Sequence, residues 1–200
     1  MFTMAWMVFA GMLAATPATD GSIDASQVVI DGKLQTSDGT ERDARLAIGC
    51  ATGRAGVAMQ LQLLSTSRLN FDLNGFEGPA SLGAKRPTAH ISAGSVQAPP
   101  LVSIGVYGSR GSAPYAFTVS QAAPETAPPA TGKKGKRASK PSSRAPAVTL
   151  WRVAQALSTP GTELNWVQDA AISTEKPLTA HFAPESWQAQ QIAAQLQSCH

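Results

Sequence analysis

Residues 121–146 are not expected to belong to any packed layer, and that one stretch decides how the rest of the chain is organised. After Gln121 it is built from Ala, Pro, Thr, Gly, Ser, Lys and Arg with a single acid, Glu125. Pro-rich sequence of low hydrophobicity buries too little apolar surface to offset the entropy of ordering it, so a disordered tether is expected. The tract holds Lys133, Lys134, Lys136, Arg137, Lys140 and Arg144, a local charge near +5, whereas the 200-residue chain carries only +3. Residues 20–120 hold eight acids and eight bases, and residues 147–200 four acids and two bases. The basic character therefore lives in the tether, and the flanking blocks are neutral to slightly acidic. Such a tract suits contact with anionic lipid, a wall-associated polymer or nucleic acid. It lacks interleaved aromatics, which argues against stacking on bases and against specific nucleic-acid binding. The plainer reading is a linker kept soluble by its charge.

The two flanking blocks have lean cores. Apolar residues are 43% of the chain, but 34 of them are Ala, and Leu, Ile, Val and Phe together number 39. Charged residues are only 14%, which excludes a heavily solvated bundle or coiled coil, and 14 Pro with 17 Gly favour strands and turns. The expected fold class is α+β, mainly antiparallel β with a C-terminal amphipathic helix. The expected organisation is a signal peptide at 1–18, a β-rich block at 19–120, the linker at 121–146 and a strand-plus-helix block at 147–200 packed on the first.

The signal is read from residues 1–19, which carry no charged side chain, and from the twelve-residue run Met4 to Ala15 followed by Thr16-Pro17-Ala18-Thr19. A membrane span needs about 20 apolar residues, so this run fits the h-region and cleavage site of a secretory signal. The n-region lacks Lys and Arg, and an uncleaved inner-membrane anchor is the alternative. Export implies a periplasmic or secreted location. It also bears on Cys50 and Cys199, the only two cysteines. An oxidising compartment lets them pair, and two separate buried thiols are the alternative.

Alternation at period two marks the strands. A β-branched run covers 28–34, with Asp31-Gly32 and Asp38-Gly39 read as turns. Residues 45–49 lead into Cys50, and Val57, Met59, Leu61 and Leu63 alternate with Ala58, Gln60 and Gln62. Further strands are expected at 88–93, 101–107 and 115–119, the last two joined through Gly108-Ser109-Arg110-Gly111. Three short strings recur in order across the linker. Gln62-Leu63-Leu64-Ser65-Thr66 returns as Gln155-Ala156-Leu157-Ser158-Thr159, Leu69-Asn70-Phe71 as Leu164-Asn165-Trp166, and Pro87–Ile91 as residues 177–182. A divergent internal repeat and chance in an Ala-rich chain both account for this. At the C-terminus, Ala189, Ile192, Ala193 and Leu196 share one helical face. The spacing predicts a helix over 184–198, with Phe182 and Trp187 stapled around a cap at Ala183.

Chemistry-bearing motifs are few. Ser173-Thr174-Glu175-Lys176 is an S-x-x-K string without its usual companions. His90, His181 and His200 are not spaced as a metal motif; His90 and His181 would be equivalent strand positions if the repeat is real, and still need a third ligand. No catalytic residue, cofactor or metal is therefore expected. The most distinctive loop is Phe71-Asp72-Leu73-Asn74-Gly75-Phe76-Glu77-Gly78-Pro79. Phe71, Asp72, Phe76 and Glu77 are the candidate binding residues, the alternative for the two Phe side chains being the core.

The segment Arg45 to Cys50, and Leu178-Thr179-Ala180-His181-Phe182 through to Cys199, place a strand ending in Cys early and a strand, helix and Cys at the end. In this the chain resembles small exported bacterial envelope proteins, among them accessory proteins associated with type VI secretion. The long basic linker departs from that pattern. The resemblance implies a non-enzymatic interaction or accessory protein in the periplasm, with an envelope protein or cell-wall component as partner. The alternative is an envelope hydrolase, or an inhibitor of one, acting through Asp72 and Glu77.

Overall fold

A computed structural model describes residues 26–36, 38–52, 55–65, 73–76, 87–108, 114–122, 149–170 and 176–199. The N-terminal apolar run, the tract 123–148, and Phe71, Asp72 and Glu77 lie outside these residues. Among the described residues no helix is long and apolar enough to cross a membrane.

Strands β1 (Val28–Gln35), β2 (Glu41–Cys50) and β3 (Gly56–Leu63) form an antiparallel meander. Period-two patterning sets the face of each: Val28, Ile30 and Leu34 are buried while Asp31, Lys33 and Gln35 are exposed. Each fully buried aliphatic side chain contributes about 1.5–3 kcal/mol, and a one-residue slip would forfeit the whole set. The turn expected at Asp38-Gly39 is present: Gly39 takes φ +82°, and Thr36 accepts its N–H at 2.9 Å.

Asp31-Gly32, by contrast, is not a turn. Gly32 sits inside β1, opposite Ala44 on one side and Phe182 on the other. A Cβ there would collide with the Phe182 ring and with the carbonyl oxygen of His181. The glycine lets a neighbouring strand lay an aromatic ring across it.

The chain continues through β4 (Ala89–Ala93), β5 (Val96–Gln97), β6 (Ile104–Tyr107), β7 (Tyr115–Ala122), helix α1 (Leu150–Leu157), β8 (Leu164–Gln168), β9 (Leu178–Phe182) and helix α2 (Ser186–Ser198). All nine strands belong to one antiparallel sheet in the order β5-β4-β8-β9-β1-β2-β3-β7-β6. The residues after 147 thus do more than pack on the earlier block: β8 and β9 lie inside its sheet, between β4 and β1.

The sheet is strongly curled, and the chain itself shows it. Leu101 bridges to Ala89 at one end of the sheet, and Ile104 opens β6 at the other. Three residues span at most about 10 Å, so the two ends come close together. The Thr88 and Ser103 hydroxyls meet at 2.9 Å in this region. Both helices pack on the sheet. Helix α1 touches β3 and β7 as well as β4 and β5, while α2 rests on β1 and β2. Trp166, Phe117, Phe182, Ile30 and Leu46 are fully buried in the core.

The expected C-terminal helix forms, but it starts later and without the staple. Phe182 still belongs to β9, where it pairs with Gly32 and is 1% exposed. Residues 183–185 turn the chain and Glu185 becomes the cap. Trp187 is left 53% exposed, its indole N–H donating to the Glu185 carboxylate at 2.6 Å. The Gln188 side chain accepts the Glu185 backbone N–H at 2.8 Å and donates to the Val29 carbonyl at 2.9 Å. Beyond Gly32, β1 has no β9 residue beside it, so this amide occupies the next free carbonyl. The far end of α2 is fixed by the Cys50–Cys199 disulfide and by the Gly56 N–H, which donates to the Cys199 carbonyl at 3.0 Å.

The matched strings do not share structure throughout. Residues 89–91 and 178–182 are both strands, but Gln62 and Leu63 lie in β3 while Gln155 to Leu157 lie in α1.

Candidate ligand groove

Helix α1 was not foreseen from the sequence, yet it positions the candidate site. Its signals are short. Thr149 caps it, the hydroxyl accepting the Arg152 N–H at 3.4 Å. Leu150, Val153, Ala154 and Leu157 follow at i, i+3, i+4 and i+7, and all are buried. Gln121, at the end of β7, supplies a second cap: its side-chain oxygen accepts the Leu150 N–H at 2.5 Å. The helix ends where Ser158 hydrogen-bonds back to the Gln155 carbonyl at 2.7 Å, before Pro160 and a left-handed Gly161 at φ +81°.

Burying one face of α1 fixes what the other offers. Arg152, Gln155 and Thr159 are exposed, and Trp151 and Ser158 are half-buried. Two cavities flank this ridge and share Gln155. One, of about 390 Å³, lies between α1 and β5 and is lined by Ser95, Val96, Gln97, Arg152, Gln155 and Thr159 among others. The other, of about 240 Å³, lies between the helices, with Trp151 and Ser158 facing Leu196 and Gln197. The lining mixes amides and hydroxyls with apolar side chains, Val96 and Ala156 in the first and Trp151, Ala193 and Leu196 in the second, and among the described residues Arg152 is its one charged side chain.

A third cavity, of about 450 Å³, lies over β1 and β2. Its charges pair with one another: Arg45 with Asp31 at 2.7 Å, and Lys33 with Asp43 at 2.9 Å and with Glu41 at 3.6 Å. The Asp43 hydrogen bond raises the Lys33 ammonium above its ordinary value and lowers the Asp43 carboxyl below its own. A lattice that satisfies itself leaves little charge to offer a ligand.

The histidines do not meet. His90 in β4 and His181 in β9 flank β8, opposite Val167 and Asn165. His90 Nε2 lies 2.8 Å from the Asp169 carboxylate, and His181 Nδ1 pairs with the Asn165 side chain. Among the described residues no group of three His, Cys, Asp or Glu side chains is placed to hold a metal ion.

Of the loop residues singled out from sequence, Phe76 is described. It ends a single 3₁₀ turn (Leu73–Phe76), is 3% exposed, and packs edge-on against Phe117 with ring centroids 6.0 Å apart. That is the core placement, one of the two outcomes open to it. Phe71, Asp72 and Glu77, and the six basic residues of the linker, fall outside the described residues. Compared with known proteins, the chain matches no family model, no curated protein and no solved structure.

Proposed function

We propose that this is a non-enzymatic exported protein of the bacterial cell envelope, working in the periplasm as an interaction or accessory component. The observation that carries the reading is the Cys50–Cys199 disulfide, which joins residues 149 apart. A bridge holding the last helix to an early strand is a structural disulfide, and such bonds persist in oxidising compartments. The apolar run at the N-terminus supplies the export route, and the grooves along α1, of mixed polar and apolar lining, supply a surface for a partner. The layout of strand, helix and cysteine keeps the likeness to type VI secretion accessory proteins within this reading.

Fractionation of an expressing bacterium, with thiol labelling before and after reduction, tests it. The expected result is a periplasmic chain beginning near Thr16 or Thr19, with both cysteines labelled only after reduction. Crosslinking and pull-down from envelope extracts should then capture a partner. A cytoplasmic chain with two free thiols would overturn the export. Clearing of a peptidoglycan zymogram, abolished by Asp72→Ala with Glu77→Ala, would replace the interaction reading with a hydrolase.

A further inference from the structure

We infer that the groove between α1 and the free edge of β5 binds the C-terminal carboxylate end of an extended peptide. This deepens the interaction reading above and rests on it. Three features on the page converge. The first is an edge. β5 ends the sheet order, so no strand covers its outer side among the described residues. Antiparallel partners alternate between pairs that exchange both hydrogen bonds and pairs that exchange none. Val96 closes the two-residue hairpin opposite Ala93, so Gln97, opposite Ser92, turns its N–H and C=O outward. Main-chain groups on a free edge recognise another main chain laid along them.

The second feature is charge. Arg152 is exposed, and its guanidinium pairs with none of the described residues. It stands in the first turn of α1, whose helix dipole adds to the positive field there. With no acid in the lining among the described residues, the complementary ligand carries a negative charge. A guanidinium fork matches a carboxylate through two parallel hydrogen bonds.

The third feature is extent. The cavity, about 390 Å³, is at the small end of ligand sites, which run from roughly 300 to 1,000 Å³. It accommodates a short chain end with one charge rather than a long acidic segment. The carboxylate sits at Arg152, the last peptide groups lie beside Gln97, and Gln155 from the helix and Thr159 from the turn after it supply hydrogen bonds.

The test uses the disulfide-intact mature protein and a random hexapeptide library with free C-terminal carboxylates. Matched arms carry the library with amidated C-termini, an amidated library with an internal Asp, and N-acetylglucosamine oligosaccharides. The free-acid library should enrich peptides that bind at least tenfold more tightly than their amides. Binding should shift the backbone amide resonance of Gln97. Arg152→Gln should lose at least tenfold of the affinity and Arg152→Lys should keep part of it. Lys33→Ala, on the sheet surface, should leave binding unchanged. Unchanged thermal unfolding of Arg152→Gln controls for folding. No enrichment, equal binding of amidated or Asp-bearing peptides, preference for the oligosaccharide, or an unaffected Arg152→Gln would each overturn the inference. If Arg152→Gln still captures the envelope partner while the peptides fail, the groove is wrong and the interaction reading stands. If no partner is captured by either form, the interaction reading itself falls.

Discussion

Excising residues 123–148 and joining Ala122 to Thr149 through six Gly/Ser residues should leave the fold intact and slightly more stable. The reasoning starts from one contact. Gln121 closes β7, Leu150 opens α1, and the side chain of the first accepts the backbone N–H of the second at 2.5 Å. The chain leaves the sheet and returns to it at one place, so the basic tract is an excursion from a single point and not a span between two bodies. Between those residues lie 28 others, 122 to 149. Loop-closure cost scales as (3/2)RT ln n, so shortening the connection to about 8 residues stabilises by about 1.1 kcal/mol. For a chain of this size that raises the unfolding midpoint by about 2–4 °C. Circular dichroism melts of the full and excised proteins at equal concentration measure it. The excised chain should keep its disulfide. A midpoint lowered by more than a few degrees would show that the tract packs on the fold, and the single-point reasoning would fail.

Four further outcomes follow from other contacts. Replacing Cys50 and Cys199 together by Ser removes a bridge whose chain-entropy value for 149 residues is about 5 kcal/mol as an upper figure. Because Gln188, Ile192 and Leu196 still hold α2, melts should fall by about 5–15 °C without loss of the sheet; an unchanged midpoint would remove the bridge from the account. Tryptic cutting of the linker should leave fragments that stay together in reductant until denaturant is added, since β8 and β9 lie between β4 and β1; release by reductant alone contradicts that sheet order. Gly32→Ala must push β9 away from β1, and a loss of about 3 kcal/mol or more is expected from chemical denaturation; a near-neutral substitution would refute the close approach. At Asp43, the Lys33 partner lowers the folded pKa, so its small contribution is present above the ordinary carboxylate range and fades as pH falls through the lowered value. Lys33 is raised, so its share is present at neutral pH and fades as pH climbs through that raised value. Carboxyl carbon NMR should place the Asp43 midpoint below 3.8 and return it upward in Lys33→Ala; equal midpoints would dissolve the pair.

Strands were legible where side chains alternate cleanly. Val57, Met59, Leu61 and Leu63 face the core as their period predicted, and the run into Cys50 is a strand. Gly32 was misread because composition marks glycine as a turn former, whereas its use here depends on a ring arriving from a strand 150 residues later. Helix α1 escaped for a related reason: eight residues give barely two turns of pattern, and its last three letters echo a strand. Trp187 was assigned to a staple by spacing that assumed the helix began beside Pro184, but strand pairing held Phe182 in β9. The candidate groove was not legible at all. Arg152 and Gln155 share α1, Gln97 comes from a distant stretch, and only the placement of α1 beside β5 brings them together.

The sheet order also sets a timetable for assembly. Everything needed for β1 through β7 has been made by residue 122, yet β4 and β5 cannot join β1 until the β8–β9 pair arrives between them. The keystone of the arch is therefore cut after the stones on both sides of it, and Cys199 closes the ring 149 residues after Cys50. Topologies whose pairings reach so far along the chain fold slowly, on the scale of milliseconds to seconds. A nascent chain of this kind holds two unfinished sheet edges throughout its synthesis. That delay makes the interval before β8 and β9 emerge the one in which a chaperone has most to protect.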